Sequence, residues 1–185
     1  QESIADTVLE KLKARMGTLR VGQPLDKAID IGAIVAPVQL ERIRALVAKG
    51  QAEGSELYQP NCEMPSGGSF YPPSLFTNVS PSSTIAQEEI FGPVLCMIVY
   101  DDIKTAIEMA NDTVYGLSSG VYAKNKESAL KIARQIRAGQ CYIQGSYFNI
   151  EAPFGGFKQS GNGREAGAWG IEDFLEIKAV SDWAV

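Results

Sequence analysis

The chain has 185 residues, 45% of them hydrophobic and 21% charged, which suits one globular domain, residues 1–185, able to bury a substantial core. A net charge of -5 without any basic block argues against a nucleic-acid partner or an anionic membrane surface, and no apolar stretch approaches eighteen residues, so no membrane partner is expected either. Zero histidines remove Ser-His-Asp and Cys-His nucleophile pairs and histidine metal sites, and no metal is expected. Three widely spaced cysteines, Cys62, Cys96 and Cys141, fit a reducing, cytoplasmic compartment better than a disulfide framework.

Residues 3–19 place Ile4, Val8, Leu12 and Met16 at every fourth position, which predicts an amphipathic helix. This helix begins at the second residue, uncapped and with no strand before it, as natural domains can start and as a truncated chain also reads. Val21-Gly22-Gln23-Pro24 turns the chain into a loop that runs through Gly32. Pro37 at a first-turn position, followed by Leu40, Ile43, Leu46 and Val47, predicts a second helix ending near residues 50–54. Residues 58–69, with two prolines and two glycines, read as exposed loop with Cys62 as a surface thiol. Pro72-Pro73 and their aromatic neighbours make residues 71–79 extended.

The continuous apolar run Val94 to Tyr100 predicts a strand covered on both faces. Asp101 is the expected cap of a helix carrying Ile103, Ala106, Ile107 and Ala110, and residues 115–122 form the next strand. Asn125 starts a further helix, and residues 140–144 a third strand. The order β-α-β-α-β implies a parallel sheet with right-handed crossovers, an α/β fold with Cys96 and Cys141 as small buried thiols.

Ligands in such sheets collect at the carboxyl ends of the strands, where residues 145–163 leave the third one. There lies Pro153-Phe154-Gly155-Gly156-Phe157-Lys158-Gln159-Ser160-Gly161-Asn162-Gly163-Arg164-Glu165, with four glycines in nine residues. Glycines this dense mark either a demanding bend or a wall against which a ligand sits. Gly161 to Ala166 formally matches the dinucleotide fingerprint G-x-G-x-x-A, but no strand directly precedes it and no βαβ unit surrounds it. A helix-like stretch follows, with Glu165 at its start, where a helix dipole favours negative charge.

Together with Gln87-Glu88-Glu89-Ile90-Phe91-Gly92-Pro93-Val94, this stretch resembles the C-terminal signature of the NAD(P)-dependent aldehyde dehydrogenase superfamily, and the similarity runs to about Ala179. The resemblance implies a three-layer, open, mainly parallel sheet with helices on both faces, the family's catalytic domain. It implies NAD or NADP as cofactor and a small aldehyde as substrate, oxidised to a carboxylic acid through a cysteine thioester. By position, Glu89 is the glutamate that hydrogen-bonds the nicotinamide-ribose hydroxyls and Phe91 the ring beside the nicotinamide. A carboxylate suits a cis-diol because it accepts from both hydroxyls. Glu165 matches a proton-relay glutamate, with a purely structural role standing beside that one. Phe154 matches an aromatic of the aldehyde channel, and Tyr147 and Phe148 lie in the preceding loop, which shapes the entrance. The family commonly has asparagine near Gln144.

The family's nucleophilic cysteine, general base and coenzyme-binding domain would all precede Gln1, so the chain is expected to be a piece of such an enzyme and inactive alone. Residues 172–185 alternate apolar and charged side chains, which predicts a terminal strand. The resemblance makes residues 174–185 the strand of a homodimer or tetramer, with Arg164 and Glu176 placed for an interface ion pair. A non-catalytic module of the same fold and a related acyl-phosphate reductase are the alternatives.

Overall fold

Two helices open the chain. In the computed structural model, which describes residues 1–183, α1 spans Glu2–Met16 and α2 spans Pro37–Ala52. α2 starts on Pro37, whose missing N–H lies where a helix has no use for it, and turns Leu40, Ile43 and Val47 inward. On α1 only Met16 is buried, and Ile4 and Val8 face outward.

The chain divides into two compact units, Gln1–Ala106 and Ile107–Val185. In the first, β1 (Glu56–Tyr58), β2 (Ser74–Thr77) and β3 (Val94–Cys96) form a sheet in the order β1-β2-β3, with β1 antiparallel and β3 parallel to β2. α2 and the four-residue α3 (Thr84–Gln87) pack on it through Leu40, Ile43, Val47, Phe76, Ile85 and Ile90. Ile43, Leu75 and Phe76 are fully buried, and each such side chain contributes about 1.5–3 kcal/mol. α4 (Ile103–Asn111) then leads into the second unit, where β4 (Ser118–Val121) and β5 (Gln140–Ile143) pair in parallel across α5 (Lys126–Ala133). This β-α-β unit keeps Val121 and Ala129 buried.

The expected α/β class and parallel pairing are present, but the three strands expected in succession divide between two sheets. The run Val94 to Tyr100 is a strand only as far as Cys96, and Leu95 and Val99 are about half exposed rather than covered on both faces. Cys62, Cys96 and Cys141 are all free and half-buried, so Cys62 is less exposed, and the other two less buried, than expected; burial raises the pKa of the Cys96 thiol. The cap of α4 is Asp102, not Asp101: its Oδ1 accepts from the N–H groups of Lys104 (2.8 Å) and Thr105 (3.0 Å). Asn125 caps α5 as expected, accepting from the Ser128 N–H at 2.9 Å. Residues 169–174 form a 3-10 helix, and residues 175–183 carry no ladder, so the terminal strand is not formed within this chain. Its last two positions, 184 and 185, lie outside the described residues.

Candidate functional site

In the first unit the Glu88 to Phe91 segment links α3 to β3 and is held from outside by α2. Gln39 Nε2 donates to the carbonyls of Ile90 (3.1 Å) and Phe91 (3.4 Å), and Arg42 reaches Glu88 at 3.5 Å. The α3 turn is tied to the end of α2 by Glu53, whose carboxylate accepts from the Thr84 N–H (2.7 Å) and hydroxyl (2.6 Å). These hydrogen bonds hold the Glu53 carboxyl below its ordinary pKa. Phe91 has φ 58, in the left-handed region that a side chain normally avoids, and the residue is 70% exposed. Such a conformation persists where the surroundings over-determine it, and such positions cluster at ligand sites. Glu89 is exposed and makes no hydrogen bond or ion pair among the described residues.

In the second unit the loop after β5 leaves the carboxyl end of the parallel pair, as the topology requires. Phe154 and Glu165 are brought together: each donates its N–H to the other's carbonyl, at 2.7 and 2.6 Å, in an isolated antiparallel bridge. Glu165 therefore sits in a bridge, not at the start of a helix, because its backbone groups are already paired with Phe154. The Phe148 ring meets Phe154 edge to face at 5.9 Å, while Tyr147 is almost wholly exposed. A cleft of about 320 Å³ is lined by Cys141, Tyr142, Tyr147, Phe148, Asn149 and Pro153. A second, of about 280 Å³, includes Phe154, Arg164, Glu165 and Asp173.

Several glycines of this stretch serve close backbone packing. A Cβ on Gly139 would stand 1.6 Å from the Gly155 carbonyl oxygen, and one on Gly155 would stand 2.1 Å from that of Gly163. Between them the loop is stapled to residues 111–116. Lys158 Nζ donates to the carbonyls of Asn111 and Thr113, both at 2.8 Å, and the Ser160 hydroxyl accepts from the Gly116 N–H at 3.0 Å. Arg164 turns onto its own loop, donating to the carbonyls of Gly156 (3.0 Å), Asn162 (3.3 Å) and Gly163 (2.7 Å) and lying over the Phe157 ring. Within the chain, the Arg164 Nη1 group is thus engaged by its own loop. Gln39 carries no sequence signal, and Lys158 none beyond its place in the glycine-rich stretch, since each acts on carbonyls distant in the chain.

The second unit thus carries a glycine-rich loop at the carboxyl edge of a parallel β-α-β unit, and the first carries a strained aromatic beside a carboxylate with no partner among the described residues, both within an α/β fold. The chain belongs to the aldehyde dehydrogenase family, whose model matches residues 1–180. A putative aldehyde dehydrogenase of Staphylococcus aureus is 43% identical over 98% of the chain, and one of Staphylococcus saprophyticus is 42% identical. Among solved structures, a Mycobacterium tuberculosis aldehyde dehydrogenase complexed with NAD+ superposes with a TM-score of 0.87 at 41% identity, over 93% of this chain and 36% of that one. A mutant of aldehyde dehydrogenase C from Pseudomonas syringae, in complex with NAD+ and octanal, gives 0.89 at 39% identity, over 98% and 39%. The chain thus spans 39% of the length of its Staphylococcus relatives. No helix among the described residues is long and apolar enough to cross a membrane.

Proposed function

We propose that this chain works as part of a cytoplasmic NAD- or NADP-dependent aldehyde dehydrogenase that oxidises an aldehyde to a carboxylic acid through a cysteine thioester. Both units belong to its catalytic domain. When bound, the coenzyme accepts the hydride. The observation that carries the reading is the pairing, in one short segment, of an exposed aromatic held at φ 58 with a carboxylate that has no partner among the described residues. Glu89 accepts from the two hydroxyls of the nicotinamide ribose, and Phe91 offers its ring to the nicotinamide. Gln39 fixes both by holding the carbonyls of Ile90 and Phe91. Tyr147, Phe148 and Phe154 form one wall of the aldehyde channel, and Glu165, bridged to Phe154, passes protons toward solvent. The segment from Phe174 onward makes the contact of a homodimer or tetramer; Phe174, Ile177 and Val180 are all largely exposed. The three free thiols support a reducing compartment.

The test is the intact protein that carries this chain, assayed with NAD+, NADP+ and a series of aldehydes, alongside Glu89→Gln. The substitution keeps the size and removes the charge, weakening the ribose contact by about 1–2 kcal/mol. Single-turnover hydride transfer should slow and coenzyme affinity fall. Unchanged values for both would remove Glu89 from the site, and an intact protein unable to reduce either coenzyme would favour the non-catalytic module.

A further inference from the structure

A glutamine stands at each end of β5, and both side chains reach the backbone of other segments. Gln140 Nε2 donates to the carbonyls of Pro153 (3.3 Å) and Gly155 (3.5 Å). Gln144, one residue past the strand, uses both ends of its amide on a single residue: Oε1 accepts from the Ala123 N–H at 3.1 Å, and Nε2 donates to the Ala123 carbonyl. Its own N–H donates to the Val121 carbonyl at 2.9 Å. The side chain therefore supplies the rung that the main chain would have made had β5 continued.

The main chain is released to turn away, with φ 52 at Gln144 and 71 at Gly145. A Cβ on Gly145 would stand 2.9 Å from the Tyr122 hydroxyl, so the turn is closely packed as well as left-handed. Ser146 completes the foot, donating its N–H to the Ile143 carbonyl (3.0 Å) and accepting the Ile143 N–H on Oγ (3.2 Å). Between these feet, residues 145–153 carry Tyr147 and Phe148. The inner ties are local turns at Asn149, the Gly167 N–H on the Ile150 carbonyl, and the edge of Phe148 on Phe154.

We propose that Gln144 is a positioning residue for substrate selection: its amide fixes the foot of the 145–153 loop, and so the place of Tyr147 and Phe148 at the aldehyde entrance. The proposal rests on the aldehyde-oxidising reading above. Glutamine suits the task because its amide offers a donor and an acceptor in the arrangement of a peptide group. Asparagine is one methylene too short to span the same gap, ionised glutamate accepts but cannot donate, and leucine does neither. A left-handed residue other than glycine relaxes once its surroundings stop holding it.

The experiment compares the intact protein with Gln144→Leu and Gln144→Glu, reading amide hydrogen exchange and the kinetics on acetaldehyde and benzaldehyde. In Gln144→Leu the amides of residues 145–152 should exchange about tenfold faster while those of β4 and β5 keep their protection. The ratio of KM values for the two aldehydes should shift about tenfold, with kcat for acetaldehyde unchanged. Gln144→Glu, which keeps one of the two hydrogen bonds, should fall between, and it is read alone if Gln144→Leu does not fold. Unchanged exchange, an unchanged KM ratio, or an equal loss of kcat on both aldehydes overturns the proposal. A wild-type protein that reduces no coenzyme with any aldehyde overturns the underlying reading, and this one with it. The exchange result shows separately whether the clamp holds the loop.

Discussion

Asn78, Phe91, Gln144, Lys158 and Ala166 all hold φ between 52 and 59, and four of them belong to the candidate site or the stretches that support it. Each has a local reason: Gln39 behind Phe91, Ala123 opposite Gln144, and the carbonyls of Asn111 and Thr113 around the Lys158 ammonium. Ala166 has only a methyl group, and its backbone follows the Phe154–Glu165 bridge into the turn at Gly167. A left-handed alanine costs about 1–2 kcal/mol, and glycine gives back about 0.4–1 kcal/mol through its looser unfolded chain. Ala166→Gly should therefore stabilise the fold by about 0.5 kcal/mol, seen as a higher urea midpoint at unchanged slope. A lower midpoint would mean that position 166 bears no strain.

At the scale of elements, the glycine-rich loop is held by backbone lying on backbone. Gly139→Ala forces a methyl group into the Gly155 carbonyl and should cost about 3 kcal/mol or more. Gly67→Ala meets open space at a conformation that alanine accepts, and its midpoint should stay within about 0.5 kcal/mol of the wild type. Equal effects of the two would contradict the packing account. The Glu53 link between α2 and α3 depends on pH. Its folded pKa lies below the ordinary value of 4.5, so its stabilisation is complete above that value and is lost as pH falls through the folded one. Asp30, held by Arg20, and Asp102, the cap of α4, share that sign. In Glu53→Gln the loss of stability between neutral pH and the acid range should be shallower than in the wild type; an identical slope would remove Glu53 as a contributor.

Helices with local signals were legible in the sequence: α2 from Pro37 and its apolar stripe, and α5 from the Asn125 cap. Elements that need a distant partner were not. β1 exists because Glu56 to Tyr58 pair with Leu75 to Thr77, which no local pattern announces, and the apolar run from Val94 stays a strand only while β2 lies beside it. The cap of α4 moved by one residue because two adjacent aspartates compete and only Asp102 lies within reach of both Lys104 and Thr105. Motif residues were found by type and order. The contacts made by Gln39, outside the motifs, and by Lys158, within one, act across 51 and 47 positions of sequence and leave no trace in spacing.

For the whole molecule, the two units differ in how much they bury. The first encloses a core around Ile43 and Phe76, whereas in the second Trp169, Ile171, Phe174, Ile177, Val180 and Trp183 are all more than half exposed. Apolar surface on this scale is what an association face presents. Deleting residues 176–185 should convert an associated species to monomer or aggregate in light scattering coupled to size exclusion, and a truncated protein that stays a well-behaved dimer would place the interface elsewhere.

In the proposed function this chain contributes coenzyme and substrate contacts, and none of Cys62, Cys96 and Cys141 acts as the nucleophile. The most direct measurement is the formation of reduced nicotinamide by the purified 185-residue chain, given NAD+ or NADP+ and a range of aldehydes, beside the intact protein. Turnover is expected from the intact protein and none from the chain alone. Steady turnover by the isolated chain, abolished by replacing Cys62, Cys96 or Cys141, would contradict it.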